Sequence, residues 1–277
     1  MKIVLEETLE HLKGKRRVEI EWDQDDMDIY EFKEQLLEPA LLAWTYQPNT
    51  IAELFGEEEV EDNEIPKDDE YDIDDGNGKV SAHKHKNGGG WVADTAEVDD
   101  SVYVGENARV SDNAIVSGDA QVTGSARISG DAVVFDSAKV FGNARVHGNA
   151  KVFDSAKVFG NAVVFDSAIV SGGAQVTGDA HIYGSAKVFD SAKVHGSVEV
   201  CGYAVVYGDA HIYGSAKVSG GAQVRGKSKV YDNAKVYGSA VVYGNAQVYD
   251  DVHVCGNAVV YGDAHVSDND IVSGETK

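Results

Sequence analysis

Proline is nearly missing from this sequence: 3 residues in 277, against 30 glycines. Glycine without proline suits many tight turns between short strands rather than a Pro-rich coil. Cysteine is as scarce, and Cys201 and Cys255 cannot make a disulfide framework. No apolar run is long enough to span a bilayer. Met1 to Lys13 is charged within its first turn and has no stretch of the signal-peptide kind, so a cytoplasmic location is the expectation. Positive charge is short too: 24 Lys and Arg stand against 47 Asp and Glu, a formal charge of −23. That balance repels phosphate at long range and disfavours attraction to nucleic acid or an anionic membrane. A basic protein partner suits it better, as does a site that nucleic acid would otherwise fill. No Cys-x-x-Cys, phosphate-binding Gly loop or nucleophile motif is found, so no cofactor is expected.

What is present divides the chain unevenly. Residues 1–56 read as a small α+β segment. Leu5, Leu9 and Leu12 recur at helical spacing, and Val18, Ile20 and Trp22 alternate with charged residues as in a half-buried strand. Asp26 or Asp28 is placed to cap a second helix with the apolar stripe Ile29, Phe32 and Leu36, which Pro39 ends or kinks. Leu41, Leu42 and Trp44 continue as another turn, and Thr50 caps a short helix that stops at Gly56. Residues 57–90 read as an acidic, flexible linker. Up to residue 95 the chain holds 26 acidic and 10 basic side chains, so −16 of the −23 lies there. The candidate partner-binding residues are Glu57, Glu58, Glu59, Glu61, Asp68, Asp69 and Asp72.

From residue 91 onward one pattern takes over. Every sixth residue from Ala96 is Ala with few exceptions, and Val or Ile follows two residues later. Gly or Asp comes two after that, with Glu106 the exception, and then usually Asn, Ser, Asp or Gly. Ala and Val alternate with period two, so they share one face of a short strand while the residues between and after them face outward. The Gly or Asp that follows permits the positive φ of a tight turn. So short a strand cannot bury its Val alone, but stacked coils make a continuous narrow core. A helix is excluded by the regular Gly and the β-branched residue in every unit. A stack of hairpins would give Ala and Val the same role in strands running both ways, which an unvarying six-residue period does not suit. The fold class expected is mainly β: a parallel β-helix, or solenoid, in residues 91–277. Trp91, in the stretch NGGGWV, is expected to cap its open N-terminal end.

Segments such as VYGNAQVYDD, ISGDAVVFDS and VYVGENARVSDNAIV resemble the hexapeptide-repeat, left-handed parallel β-helix superfamily. The resemblance covers about two thirds of the chain. It implies three hexads per coil, hence about ten three-sided coils, left-handed crossovers, and an axial length on the order of 48 Å. One departure is that Phe, Tyr, Ser, Thr or His follows the aliphatic residue where the family often has Gly. Relatives of this fold include acyltransferases, for which the resemblance implies a catalytic His near a loop that leaves the coil. They also include carbonic anhydrases, which implies three His ligands shared across a trimer interface. No hexad here is interrupted by an insertion, and His147, His181, His195, His211, His253 and His265 all fall at outward positions of ordinary repeats. No catalytic or metal-ligating residue is therefore assigned. His83 and His85 are read as linker residues.

With three hexads per coil, residues 18 apart stack in columns. One outer face is then rich in apolar residues: Ile115, Val133, Ile169, Val205, Val241 and Val259 in one column, and Phe135, Phe153, Phe189, Tyr207, Tyr243 and Tyr261 beside it. Such a patch marks a surface buried against another subunit or against the N-terminal segment, and these twelve are the candidate oligomer interface, for a homo-oligomer of two or three copies. A second face is basic and aromatic, with Lys139, Lys157, Lys193, His211, Lys229 and His265 beside Phe141, Phe159, Tyr213, Tyr231 and Tyr249. It reads either as a stacking groove for nucleic acid or as a solvated face in which Lys suppresses aggregation, and the net charge favours the latter. A third face stacks Arg109, Arg127 and Arg145, a ladder whose repulsion calls for a nearby anion, such as the acidic linker. Cys201 and Cys255 share a column three coils apart, about 14 Å, too far for a disulfide. The function expected is a non-catalytic rod that binds a protein partner, with mimicry of nucleic acid as its narrower form. An acyltransferase of the hexapeptide superfamily is the alternative.

Overall fold

The computed structural model describes residues 2–9, 14–21, 70–72, 79–273 and 275–276. The chain forms two compact units, residues 1–64 and 65–277. In the first, strands β1 (Lys2–Leu9) and β2 (Gly14–Glu21) pair antiparallel. Leu5 and Leu9 therefore lie in a strand, not in the helix that their spacing suggested. A separation of four residues satisfies strand parity as well as a helical turn, so those two leucines fit either period. The register puts Ile3 opposite Ile20, Leu5 opposite Val18, and Glu6 and Glu7 opposite Arg17 and Arg16. Leu12, Trp22 and the helices expected between residues 26 and 56 lie outside the described residues.

The second unit is a parallel β-solenoid. After β3 (Glu70–Asp72), β4 (Lys79–Lys84) and β5 (Trp91–Ala93), thirty strands of two residues follow at six-residue intervals, from β6 (Glu97–Val98) to β35 (Ile271–Val272), and β36 (Glu275–Thr276) ends the series. Each pairs in parallel with the strand one coil away, with partners 18 residues apart from β5 to β35, as Arg127 pairs with Arg109 and Arg145, and 16 apart where β33 pairs with β36. The strands make three sheets of ten, thirteen and eleven strands, one on each side of about ten coils. No helix occurs among the described residues.

The core is as narrow as the repeat implies. From Ala108 to Val260 its inward Ala, Val and Ile side chains are fully buried. Burying a Val is worth about 1.5–3 kcal/mol, and each coil contributes three such residues. Ser228 takes one Ala position and donates its hydroxyl to the Arg225 carbonyl at 2.9 Å, so its polar atom is satisfied inside the core. At the corners from Asp112 to Asp268, the residue after each outward pair has positive φ. It is Gly at most coils and Asp at eight positions, with φ of 55–67° at those Asp.

The N-terminal end of the solenoid is closed by chain that the sequence suggested was linker. β4 pairs antiparallel with both β3 and β5 and so extends the thirteen-stranded sheet. Its alternation of Val80 and Ala82 with Ser81 and His83 is short and set in an acidic stretch, which hides it. The turn that follows crosses the first strand of the ten-stranded sheet: Val104 N–H donates to Asn87 O, and Gly90 N–H donates to Val104 O, both at 2.9 Å. Gly90 is needed there, since a Cβ would fall 2.4 Å from the Gly105 carbonyl oxygen. Trp91 is not the plug expected for this end. It pairs with Arg109 on the outer surface, while its neighbour Val92 enters the core.

Candidate interaction faces of the solenoid

The eleven-stranded sheet carries the apolar face. All twelve of its candidate interface residues stand in two straight columns, as the 18-residue register requires, with Ile115 exposed and the others half-buried. The column from Ile115 to Val259 is not continuously apolar. Lys151, Lys187 and Gln223 occupy intervening coils, so the patch is a series of apolar rows with polar interruptions. In the neighbouring column Phe135 stacks on Phe153 at 4.8 Å, Phe189 on Tyr207 at 5.0 Å, and Tyr243 on Tyr261 at 5.5 Å. Arg225 fills the coil before Tyr243 and lies over its ring at 4.6 Å.

The ten-stranded sheet carries the basic and aromatic face. Phe141 and Phe159 stack at 4.7 Å, and His195, Tyr213, Tyr231 and Tyr249 form a continuous stack with spacings of 4.7–5.2 Å. The rings lie nearly parallel, so each interior ring has both faces covered by its neighbours. A nucleic-acid base needs a free ring face, and only the ends of these stacks offer one. Lys193, His211 and Lys229 stand in register beside them. With Lys227, Gln175 and Asp209 they line a shallow cleft of about 560 Å³. Burial, then the nearby Lys193, Lys229 and His195, hold His211 below its ordinary pKa.

The thirteen-stranded sheet brings Trp91, Arg109, Arg127 and Arg145 into one column. The Lys84 ammonium sits over the Trp91 ring at 4.5 Å. Glu106 lines the same cleft as Lys84, Arg109 and Arg127, so an anion is supplied to this column from the solenoid itself. Further along, the Tyr183 hydroxyl donates to Glu199 at 3.3 Å, and Glu199 pairs with Lys217. The Lys217 ammonium beside it holds the Glu199 carboxyl below its usual value. Cys201 stands at an outward position of its coil, yet it is buried. It is 8% exposed and lies against Tyr183, whose phenol its thiol pushes up in pKa. Both cysteines are free.

The histidines are scattered rather than gathered. His195 stacks on Tyr213, and His147 stacks on Phe165 at 5.2 Å. His253 meets Tyr237 edge-on. Among the described residues no group of three His, Cys, Asp or Glu is placed to hold a metal ion. His83 is a structural residue: its Nδ1 pairs with Asp94 at 2.8 Å. His85 is buried beneath the turn that closes the N-terminal end. Of the acidic candidates, Asp72 lies in β3, and Glu57, Glu58, Glu59, Glu61, Asp68 and Asp69 lie outside the described residues. No helix among the described residues is long and apolar enough to cross a membrane.

Residues 108–124 and 229–244 match the model of the YdcK beta solenoid repeat family. Each stretch spans about three hexads of the outer-face columns described above. No curated protein matches the chain.

Proposed function

We propose that the protein is a non-catalytic, oligomeric rod of the hexapeptide-repeat kind, which binds a basic protein partner through its acidic N-terminal region. The observation that carries this reading is the division of charge: −16 of the −23 precedes residue 96, while the solenoid faces carry ladders of Lys and Arg. A repeating surface offers near-identical contacts many times over and so specifies one partner poorly. The N-terminal region is not repetitive. An anionic surface of this density resembles a nucleic-acid backbone in charge, and a groove built for phosphate is the site it fits. Steering by such charge speeds encounter and makes it sensitive to salt. An oligomeric rod presents several copies of the region at once, which raises avidity without new contacts.

The solenoid's unbroken pairing supports the non-catalytic part of this reading. The acyltransferase alternative needs a loop that leaves the coil beside a catalytic His, whereas the outward histidines sit in regular two-residue strands or at the position directly after them. The test is made on the full chain. With Glu57, Glu58, Glu59 and Glu61 all changed to Lys, capture of the native partner from its host should slow in association more than it gains in dissociation. Removal of residues 1–64, which stops short of β3 and β4 and leaves only Asp68, Asp69 and Asp72 of the candidate residues, should weaken capture strongly. Full-strength binding by that shortened chain would contradict the proposal and direct attention to the solenoid faces.

A further inference from the structure

All three faces repeat residue types about their middle coils, but only on the apolar face are the repeated residues mostly ones that can be buried against each other. In its first column Ile169 and Val205 lie one coil either side of Lys187, Val133 and Val241 lie three, and Ile115 and Val259 lie four. Lys151 and Gln223 lie two coils either side. Every apolar residue of the column thus has an apolar counterpart at the same distance from Lys187. From these columns we infer that two copies of the chain pair face to face through the eleven-stranded sheet, with their coils running in opposite directions about a two-fold axis at Lys187 and Phe189. The inference rests on the proposal that the rod is an oligomer, and it names the arrangement.

A two-fold axis lying in the plane of the face, across the rod, keeps each column over its own counterpart and reverses the order of coils. Ile169 of one protomer then meets Val205 of its partner, and Val133 meets Val241. The second column behaves in the same way. Phe189 meets itself, and Phe135 meets Tyr243. Phe153 meets Arg225, which already covers one ring and brings its cation to another. Size is matched as well: Tyr207 faces Ser171, and Tyr203, a corner residue left 76% exposed, faces Ser167. At these two pairs a large side chain of the C-terminal half is set against a small one of the N-terminal half.

The other two faces reject the same operation. Overlapped along its full length, the ten-stranded sheet would set Lys139 against Lys229 and Lys157 against His211. The thirteen-stranded sheet, reversed about His181, would set Arg145 against Lys217 and Arg127 against Lys235. On the apolar face the cation repeated across the axis is Lys187, whose flexible stem can turn its ammonium to the rim. The face offers roughly 700 Å² per copy, from about 48 Å of stacked strands and a width of about 15 Å. A stable interface uses about 800 Å² per partner.

Charge exchange across the proposed axis tests this in the full chain by sedimentation. Ile169→Glu alone and Val205→Lys alone should each sediment as one copy, because each buries a charge against an apolar row. The double variant should return to two copies, since the new carboxylate of each protomer meets the new ammonium of its partner. Ile169→Glu combined with Val241→Lys, which do not face each other, should stay at one copy. Recovery by the mismatched pair, or failure of the matched pair, would overturn the antiparallel arrangement while leaving the oligomer itself standing. A wild-type chain that sediments as one copy would overturn both.

Discussion

At the corners of the coil two residue types share one task for different reasons. Glycine reaches positive φ without a Cβ, and at Gly238 an added Cβ would lie 2.9 Å from both N and O of Gly256 in the next coil. Aspartate at the same kind of position offsets its strain by accepting a hydrogen bond from that next coil. The Asp154 carboxylate accepts from Gly172 N–H at 2.9 Å, and Asp112 from Gly130 N–H at 2.7 Å. Gly238→Ala should therefore destabilise the rod by about 1–2 kcal/mol, as left-handed strain with nothing in return. Gly238→Asp should cost less, because its carboxylate can cap Gly256. Asp154→Ala should lose both strain relief and cap, and so cost more than Asp154→Gly. Denaturant midpoints of the four variants check the order, and equal losses for Ala and Asp at 238 would refute the capping account.

Elements differ in how plainly the sequence announced them. The thirty short strands were legible because each hexad repeats the same inward pair and the same turn, so errors at one unit are corrected by its neighbours. The outer columns followed once the resemblance supplied three hexads per coil, and with them the 18-residue register. Counting only the apolar members of a column concealed Lys151, Lys187 and Gln223, and with them the symmetry about Lys187. β1 was misread because Leu5 and Leu9 satisfy two periods at once. β4 was missed because its fastening is tertiary: Asp94, beyond the turn, accepts from Ser81 Oγ and His83 Nδ1, and Lys86 pairs with Asp100. No local pattern in β4 forecasts those partners. The Ser81 hydroxyl, and then His83, hold the Asp94 carboxyl below its ordinary value of 3.8. A carboxyl lowered on folding stabilises the folded state above its unfolded pKa, and that contribution is lost as the pH falls through the lower folded value. The β4 fastening should thus be complete at neutral pH and weaken only below about pH 4. Amide shifts of Ser81 and His83, followed by NMR from pH 7 to pH 2, should show that transition. Asp94→Asn should remove it, and a transition that survives the substitution would assign the effect elsewhere.

For the whole molecule, stability and assembly separate. Each coil contacts mainly its neighbours, so loss of one inward residue should open the rod locally before it unfolds globally. Val164→Ala, at a fully buried position in mid-rod, should lower amide protection most strongly in its own and adjacent coils. Uniform loss from end to end would show that the solenoid unfolds as one cooperative unit. Histidine changes should leave assembly and binding intact: His195, His211, His253 and His265, each changed to Asn, are expected to keep full activity in the host. Complete loss at any one, with the fold preserved, would favour catalysis. The central claim is that this rod works as an assembly joined through its eleven-stranded face. Sedimentation equilibrium of the full chain at micromolar concentration tests it most directly. The account predicts a mass of twice 29.6 kDa for the wild type, and of one copy for a folded variant carrying Val205→Glu and Tyr207→Lys. A wild-type mass of 29.6 kDa, or a variant that still pairs, would contradict it.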